Sequence, residues 1–178
     1  LLIPAAAATG TLVPLLVVLH GGGGHADEYR FMLPLAEEHG VALLLLDARH
    51  NTWDGVDSSF GPDVRFIDQA LAHTFERVAI DPTRIALGGL SDGAMYALSL
   101  GVVNGDLFTH VIAVSAGFMN PPGPPVGRPR ILLGHGRRDA VYSIASTRDR
   151  LFPRLREAGY DVTYFEFELT NHPKIAEP

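Results

Sequence analysis

Ser91 lies at the centre of the most restrictive stretch in the chain, Ile85-Ala86-Leu87-Gly88-Gly89-Leu90-Ser91-Asp92-Gly93-Ala94-Met95. A short apolar run enters it, Gly89 and Gly93 flank the serine, and helix-compatible residues leave it. Glycine on both sides permits a turn too tight for side chains. The stretch therefore reads as strand, sharp turn and helix, with the hydroxyl raised at the apex. The rest of the chain is expected to hold and serve that hydroxyl.

The same rhythm recurs along the sequence. Leu15–Leu19, Val41–Leu46, Arg84–Leu87, Val111–Val114, Ile131–Leu133 and Val162–Leu169 are short apolar runs, the form taken by strands buried on both faces. Between them, helices are expected over Asp27–His39, with Phe31, Met32, Leu35 and Ala36 on its apolar side, over Asp63–Val78, with Asp63 as N-cap, and over Ser91–Val103. A further helix over Ser143–Ala158 is expected to be kinked or divided at Pro153. Leu1–Thr11 reads as an edge strand or a loose arm, and Ala48–Pro62 as a loop. Alternating strands and helices imply right-handed crossovers and a mostly parallel sheet covered by helices on both faces. A chain of 178 residues without a linker or repeat makes one domain over 1–178.

Composition narrows the partners. With 47 % hydrophobic residues the chain can bury a core, so it is globular. The net charge is −6 and no Lys/Arg cluster is present, which argues against nucleic acid. No apolar run reaches the length of a membrane span. There is no cysteine, which removes disulfides and thiolate chemistry and leaves the compartment open, cytoplasmic or secreted. The histidines lack metal-ligand spacing, and the glycines after His20 lack the Gly-Lys-Ser/Thr of a phosphate loop, so neither metal nor cofactor is expected.

A serine hydroxyl needs a base to become a nucleophile, and the base needs a partner to fix its tautomer. After Ser91 come Asp139, just beyond an expected strand, and His172, just beyond the next. Ligands of parallel sheets bind at that edge. Asp149 and Asp161 are weaker candidates for the acid because neither follows a strand. His20 and His135, each beside glycine, are expected to brace loops. For the anion formed on attack, the backbone N–H of Gly22, or alternatively Gly23, and that of Asp92 are the expected donors. Trp53, Met95, Phe118 and Tyr142 are candidate pocket residues.

His20-Gly21-Gly22-Gly23, Gly89-Leu90-Ser91-Asp92-Gly93 and His135-Gly136-Arg137-Arg138-Asp139, with Ile80-Asp81-Pro82-Thr83-Arg84-Ile85 ahead of the turn, resemble the motifs of compact α/β-hydrolase serine esterases. The phospholipase/carboxylesterase group and the polyhydroxyalkanoate-depolymerase/feruloyl-esterase group are the branches they look most like. The resemblance spans roughly Leu15 to His172. It implies an α/β-hydrolase fold and hydrolysis of a small-molecule carboxylic ester, short-chain or aryl, through an acyl-enzyme and without a cofactor. Polymer or plant-wall esters are the alternative substrates, and a non-catalytic binding protein of this fold is the remaining one. The segment from Val114 to Ile131 is too short for a cap domain, so an open site is expected. The sequence stops soon after Asn171-His172-Pro173, where such esterases continue into a long last helix, so either the fold closes without that helix or part of the parent protein is absent.

Overall fold

The structure is a computed structural model and describes residues 1–57 and 59–168. Six strands form one sheet: β1 (Val13–Leu19), β2 (Ala42–Leu46), β3 (Ile80–Leu90), β4 (His110–Val114), β5 (Arg130–Gly136) and β6 (Val162–Phe167). Their spatial order is β2-β1-β3-β4-β5-β6, and every pairing is parallel. The order turns back at β1, which places the crossovers on the two sides of the sheet.

Register explains the core. Leu15, Val17 and Leu19 of β1 pair with Ile85, Leu87 and Gly89 of β3, which continue into Val111 and Ala113 of β4 and Ile131 and Leu133 of β5. Paired residues of parallel strands share a face, and this face is buried except at Gly89, which is half-buried. Helix α4 (Asp92–Val103) covers it, with every residue from Gly93 to Val102 buried. A one-turn helix, α2 (Asp54–Asp57), precedes helix α3 (Pro62–Phe75), which adds Ile67 and Leu71 to the same cluster. On the opposite face, a 3₁₀ stretch (Ala26–Met32) and helix α1 (Leu33–Glu38) lie over β1 and β2, where Tyr29 and Ala36 meet Val18 and Leu43. Among the described residues no helix continues this layer over β3 to β5, and Leu90, Ile112, Val114 and Leu132 are only half-buried.

The expected strands and helices are present, with local differences that have physical causes. The single helix expected over Asp27–His39 is a 3₁₀ stretch followed by α1, which has Pro34 in its first turn. Proline lacks an N–H and clashes with the preceding turn, so a regular helix cannot run through it. Phe31 and Leu35, expected to face inward, are 62 % and 55 % exposed. Pro153 divides the later helix as expected: a wide π turn (Ser146–Leu151) gives way to α5 (Phe152–Glu157) with the proline at its start. Strand β3 begins at Ile80, earlier than expected. The Asp81-Pro82 turn is absorbed as an irregularity in its register with β1. Asp63 does not cap α3, whose cap position is Gly61, and its carboxylate instead receives the N–H groups of Arg49 and Asp54. Leu2 exchanges backbone hydrogen bonds with Leu43 at the sheet edge, and a 3₁₀ turn (Ala5–Thr9) follows. The last strand ends at Phe167, and its expected end at Leu169 lies outside the described residues.

Candidate active site

Ser91 joins β3 to α4 with φ 54° and ψ −118°. A non-glycine residue in that region carries strain of order 1–3 kcal/mol. The local fold enforces it: the Ser91 N–H donates to the Val114 carbonyl at 2.9 Å, and its own carbonyl accepts from Met95 N–H at 3.0 Å. Both flanking glycines are needed by contact. A side chain at Gly89 would enter the Gly93 peptide, and one at Gly93 would enter the carbonyl oxygens of Leu19 and His20.

The loop after β1 lies directly against this turn. A methyl on Gly21 would rest 3.4 Å from Ser91 Cβ, and one on Gly22 would overlap Asp92 Oδ2. His20 anchors the loop. Its Nε2 accepts the Ala48 N–H at 3.0 Å, which leaves Nδ1 to donate to Gly21 O at 2.7 Å. Gly24 N–H closes a turn onto Gly21 O, and the Gly23 N–H is taken by Asn51 O at 2.7 Å. The Gly22 N–H has no acceptor among the described residues. Asp92 is the first residue of α4, where an amide has no intrahelical acceptor. Of the two alternatives for the loop donor, Gly22 therefore keeps its N–H available and Gly23 does not.

Asp139 follows β5. Its side chain is fully buried, its Oδ1 accepts the N–H groups of Val141 and Tyr142 at 2.9 Å, and its Oδ2 lies 3.4 Å from His135 Nε2. His135, also fully buried, reaches Thr147 Oγ1 at 2.7 Å and Tyr142 O at 2.9 Å, so it braces the acid's loop. The Thr147 hydroxyl donates on to Ala116 O at 2.9 Å, tying the loop back to the end of β4. Leu90, Val114 and Gly134 stand in adjacent register, so Gly22, Ser91 and Asp139 all follow strands ending on one rim of the sheet. His172 lies outside the described residues.

The four expected pocket residues divide. Trp53 and Met95 are 0 % and 1 % exposed and belong to the core. Trp53 packs on His20 and Tyr96, and its indole N–H donates to His20 O at 2.8 Å, so it supports the loop and offers no surface to a ligand. The correction has a simple cause: a tryptophan in a polar loop looks like a binding residue until its burial is known. Tyr142 lies over Gly117, and burial first, then the charges of Asp92 and Asp139, push its phenol above its ordinary value. Phe118 is 39 % exposed.

The sequence did not mark Thr52, whose hydroxyl donates to Asp92 Oδ2 at 2.6 Å. Nor did it mark the pairing of Asp54 and Asp63, two buried carboxylates that each accept backbone N–H groups from the other's segment. Asp54 Oδ1 also accepts the Tyr96 hydroxyl at 2.8 Å. Burial, followed by that hydrogen bond, pushes the Tyr96 phenol well above its ordinary value. These links join segments far apart in sequence and carry no local motif. Among the described residues no group of His, Asp or Glu is arranged to hold a metal ion, and no helix is long and apolar enough to cross a membrane.

Comparison with known proteins agrees with this geometry. Residues 16–173 match the family described as the alpha/beta hydrolase family. NocK of Nocardia uniformis subsp. tsuyamanensis, whose name gives it as a candidate esterase, is 31 % identical over 139 residues, 72 % of this chain and 40 % of NocK. The chain thus spans about two-fifths of the length of that curated relative. The crystal structure of esterase PE8 superposes with a TM-score of 0.76 at 22 % identity, covering 96 % of this chain and 88 % of the other. FphF, a fluorophosphonate-binding serine hydrolase of Staphylococcus aureus, superposes with a TM-score of 0.71 at 15 % identity over 92 % of this chain and 79 % of the other. Identities this low establish the shared fold alone. Taken with the single parallel sheet and the strained serine between β3 and α4, the family match over most of the sequence leads to one assignment: the chain belongs to the alpha/beta hydrolase family.

Proposed function

We propose that the chain is a serine hydrolase of carboxylic esters that works through an acyl-enzyme. The observation that carries the reading is Ser91 itself, held at positive φ between a strand and a helix, beside a glycine loop whose Gly22 N–H has no acceptor among the described residues. In this reading Ser91 Oγ attacks the ester carbonyl while His172 takes its proton. The Gly22 and Asp92 N–H groups receive the resulting oxyanion. The tetrahedral intermediate collapses, the alkoxide leaves with the proton from His172, and the acyl group stays on Ser91. Water, deprotonated by the same histidine, then releases the acid and restores the serine. Asp139 orients His172 and stabilises its charged form.

The comparisons support ester hydrolysis as the chemistry, because the relatives and neighbours carry esterase or serine-hydrolase names. One domain over 1–178, an open site and short-chain or aryl esters complete the proposal. The test is hydrolysis of p-nitrophenyl acetate and butyrate together with fluorophosphonate labelling. Wild-type protein should turn over both esters and take the label on the Ser91 peptide. Ser91→Ala should lose the label and roughly 10⁴-fold or more of kcat. Near wild-type turnover in Ser91→Ala would refute the assignment. Unlabelled wild-type protein would favour a binding protein of the same fold.

A further inference from the structure

Asp92 serves the site with more than its backbone. Its Oδ2 accepts the Thr52 hydroxyl at 2.6 Å and fills the space a side chain at Gly22 would need. Thr52 is itself buried, 7 % exposed, and precedes the fully buried Trp53 that is bonded to the His20 carbonyl. The carboxylate is thereby pinned between a fixed hydroxyl and the glycine loop. Its Oδ1 has no hydrogen-bond partner among the described residues, and no described Arg, Lys or His pairs with it. Several arginines of the neighbouring segments are committed elsewhere: Arg84 pairs with Asp81. Arg49 donates to Asp47 O and lies 3.6 Å over the Phe66 ring, and Arg137 bridges Glu166 and Glu168.

An unneutralised carboxylate beside the donors for a developing oxyanion has an electrostatic consequence. It opposes negative charge on a bound ester and attracts positive charge, and an active site that excludes water magnifies the effect. Its influence crosses the rim, since Asp92 also contributes to raising the Tyr142 phenol. We infer that the Asp92 carboxylate, held by Thr52 against Gly22, selects substrate by charge: it favours esters bearing a cation a few ångströms from the carbonyl and disfavours esters bearing a carboxylate there. This rests on the reading of Ser91 as the nucleophile and deepens it to a substrate class.

The experiment compares kcat/KM for three acetate esters: choline acetate, its uncharged carbon isostere 3,3-dimethylbutyl acetate, and anionic 4-acetoxybutanoate. At low salt the wild-type protein should prefer the cation over the isostere, and the isostere over the anion, by about fivefold each, the scale of one charge pair screened by water. Asp92→Asn should bring the three within about twofold, and Thr52→Val, which frees the carboxylate, should weaken the preference. The readout is a ratio within one protein, so a general fall in turnover cancels. If Asp92→Asn does not fold, wild-type protein in ~1 M NaCl decides: the preference collapses if charge sets it and persists if shape does. Wild-type ratios near one with good turnover overturn this inference and leave the hydrolase intact. So does a preference that survives in Asp92→Asn or in high salt. Absence of all three activities together with an unlabelled Ser91 overturns the hydrolase reading itself.

Discussion

Gly93 shows how closely single residues are specified at the turn. Its missing side chain is what lets α4 start beneath the end of β1, with the carbonyl oxygens of Leu19 and His20 occupying the place a Cβ would take. Gly93→Ala should therefore do more than bend the turn. Either α4 moves outward or the β1 end shifts, and α4 is the most buried helix of the described chain. We expect a loss of about 2–4 kcal/mol, read as a lower urea midpoint, and loss of fluorophosphonate labelling. Gly23→Ala is the useful contrast. Gly23 has φ 71°, but a Cβ there meets nothing nearer than 3.7 Å. It should cost only about 1 kcal/mol, the strain of one left-handed residue, with labelling retained. Side-chain space, more than backbone freedom, separates the two.

At the scale of elements, the described residues between Ala48 and Asp63 are cross-linked by buried carboxylates. Asp63 accepts the Arg49 and Asp54 N–H groups, Asp54 accepts those of Gly61 and Asp63, and Tyr96 of α4 donates to Asp54. Removing the Asp54 carboxylate strands three donors at once. Asp54→Ala should cost about 2–4 kcal/mol by urea unfolding, because buried donors left without partners lose their hydration as well. Tyr96→Phe should cost only about 1 kcal/mol, since it leaves one acceptor of a still-bonded carboxylate unfilled. The loop also explains where sequence reading succeeds and where it stops. Strands such as Leu15–Leu19 and Ile131–Leu133 were legible because inner strands of a parallel sheet carry continuous apolar residues, even where one face is only half-buried, as at Leu132. The turn at Ser91 was legible because its steric needs are met by neighbours in sequence. Thr52 bonded to Asp92, and Trp53 beneath His20, were not legible. Their partners lie tens of residues away, and no local pattern records a hydrogen bond across the sheet edge. Phe31 and Leu35 misled for a related reason: helical spacing says which residues share a face, while Pro34 decides whether a helix exists to carry it.

For the whole molecule, three phenols set an alkaline limit. Burial pushes Tyr29 up to about 12, and burial with hydrogen bonds to Asp54 and Glu166 raises Tyr96 and Tyr164 further. In the unfolded chain all three titrate near 10. The folded state therefore keeps protons that the unfolded state has already released. Stability from this source is full below about pH 10 and declines as pH rises from there towards the folded values. Urea midpoints should hold steady between about pH 8 and 9.5 and fall steeply above about pH 10.5, with part of the fall absent in Tyr96→Phe. A flat profile through that range would show that these phenols ionise freely in the folded protein.

The sheet order gives β4 a part that its own side chains do not suggest. It supplies none of the proposed catalytic groups, yet it lies between β3, which delivers Ser91, and β5, which delivers Asp139. Strands repeat about every 4.8 Å, so one intervening strand separates the two backbones by about 9–10 Å. The proposed base has to bridge what remains of that separation once serine and aspartate reach in from either side. β4 thus acts as a ruler. Its length and its outward residues are free to vary, but a strand added or removed at that place would leave the proposed base either unable to span the separation or without room in it.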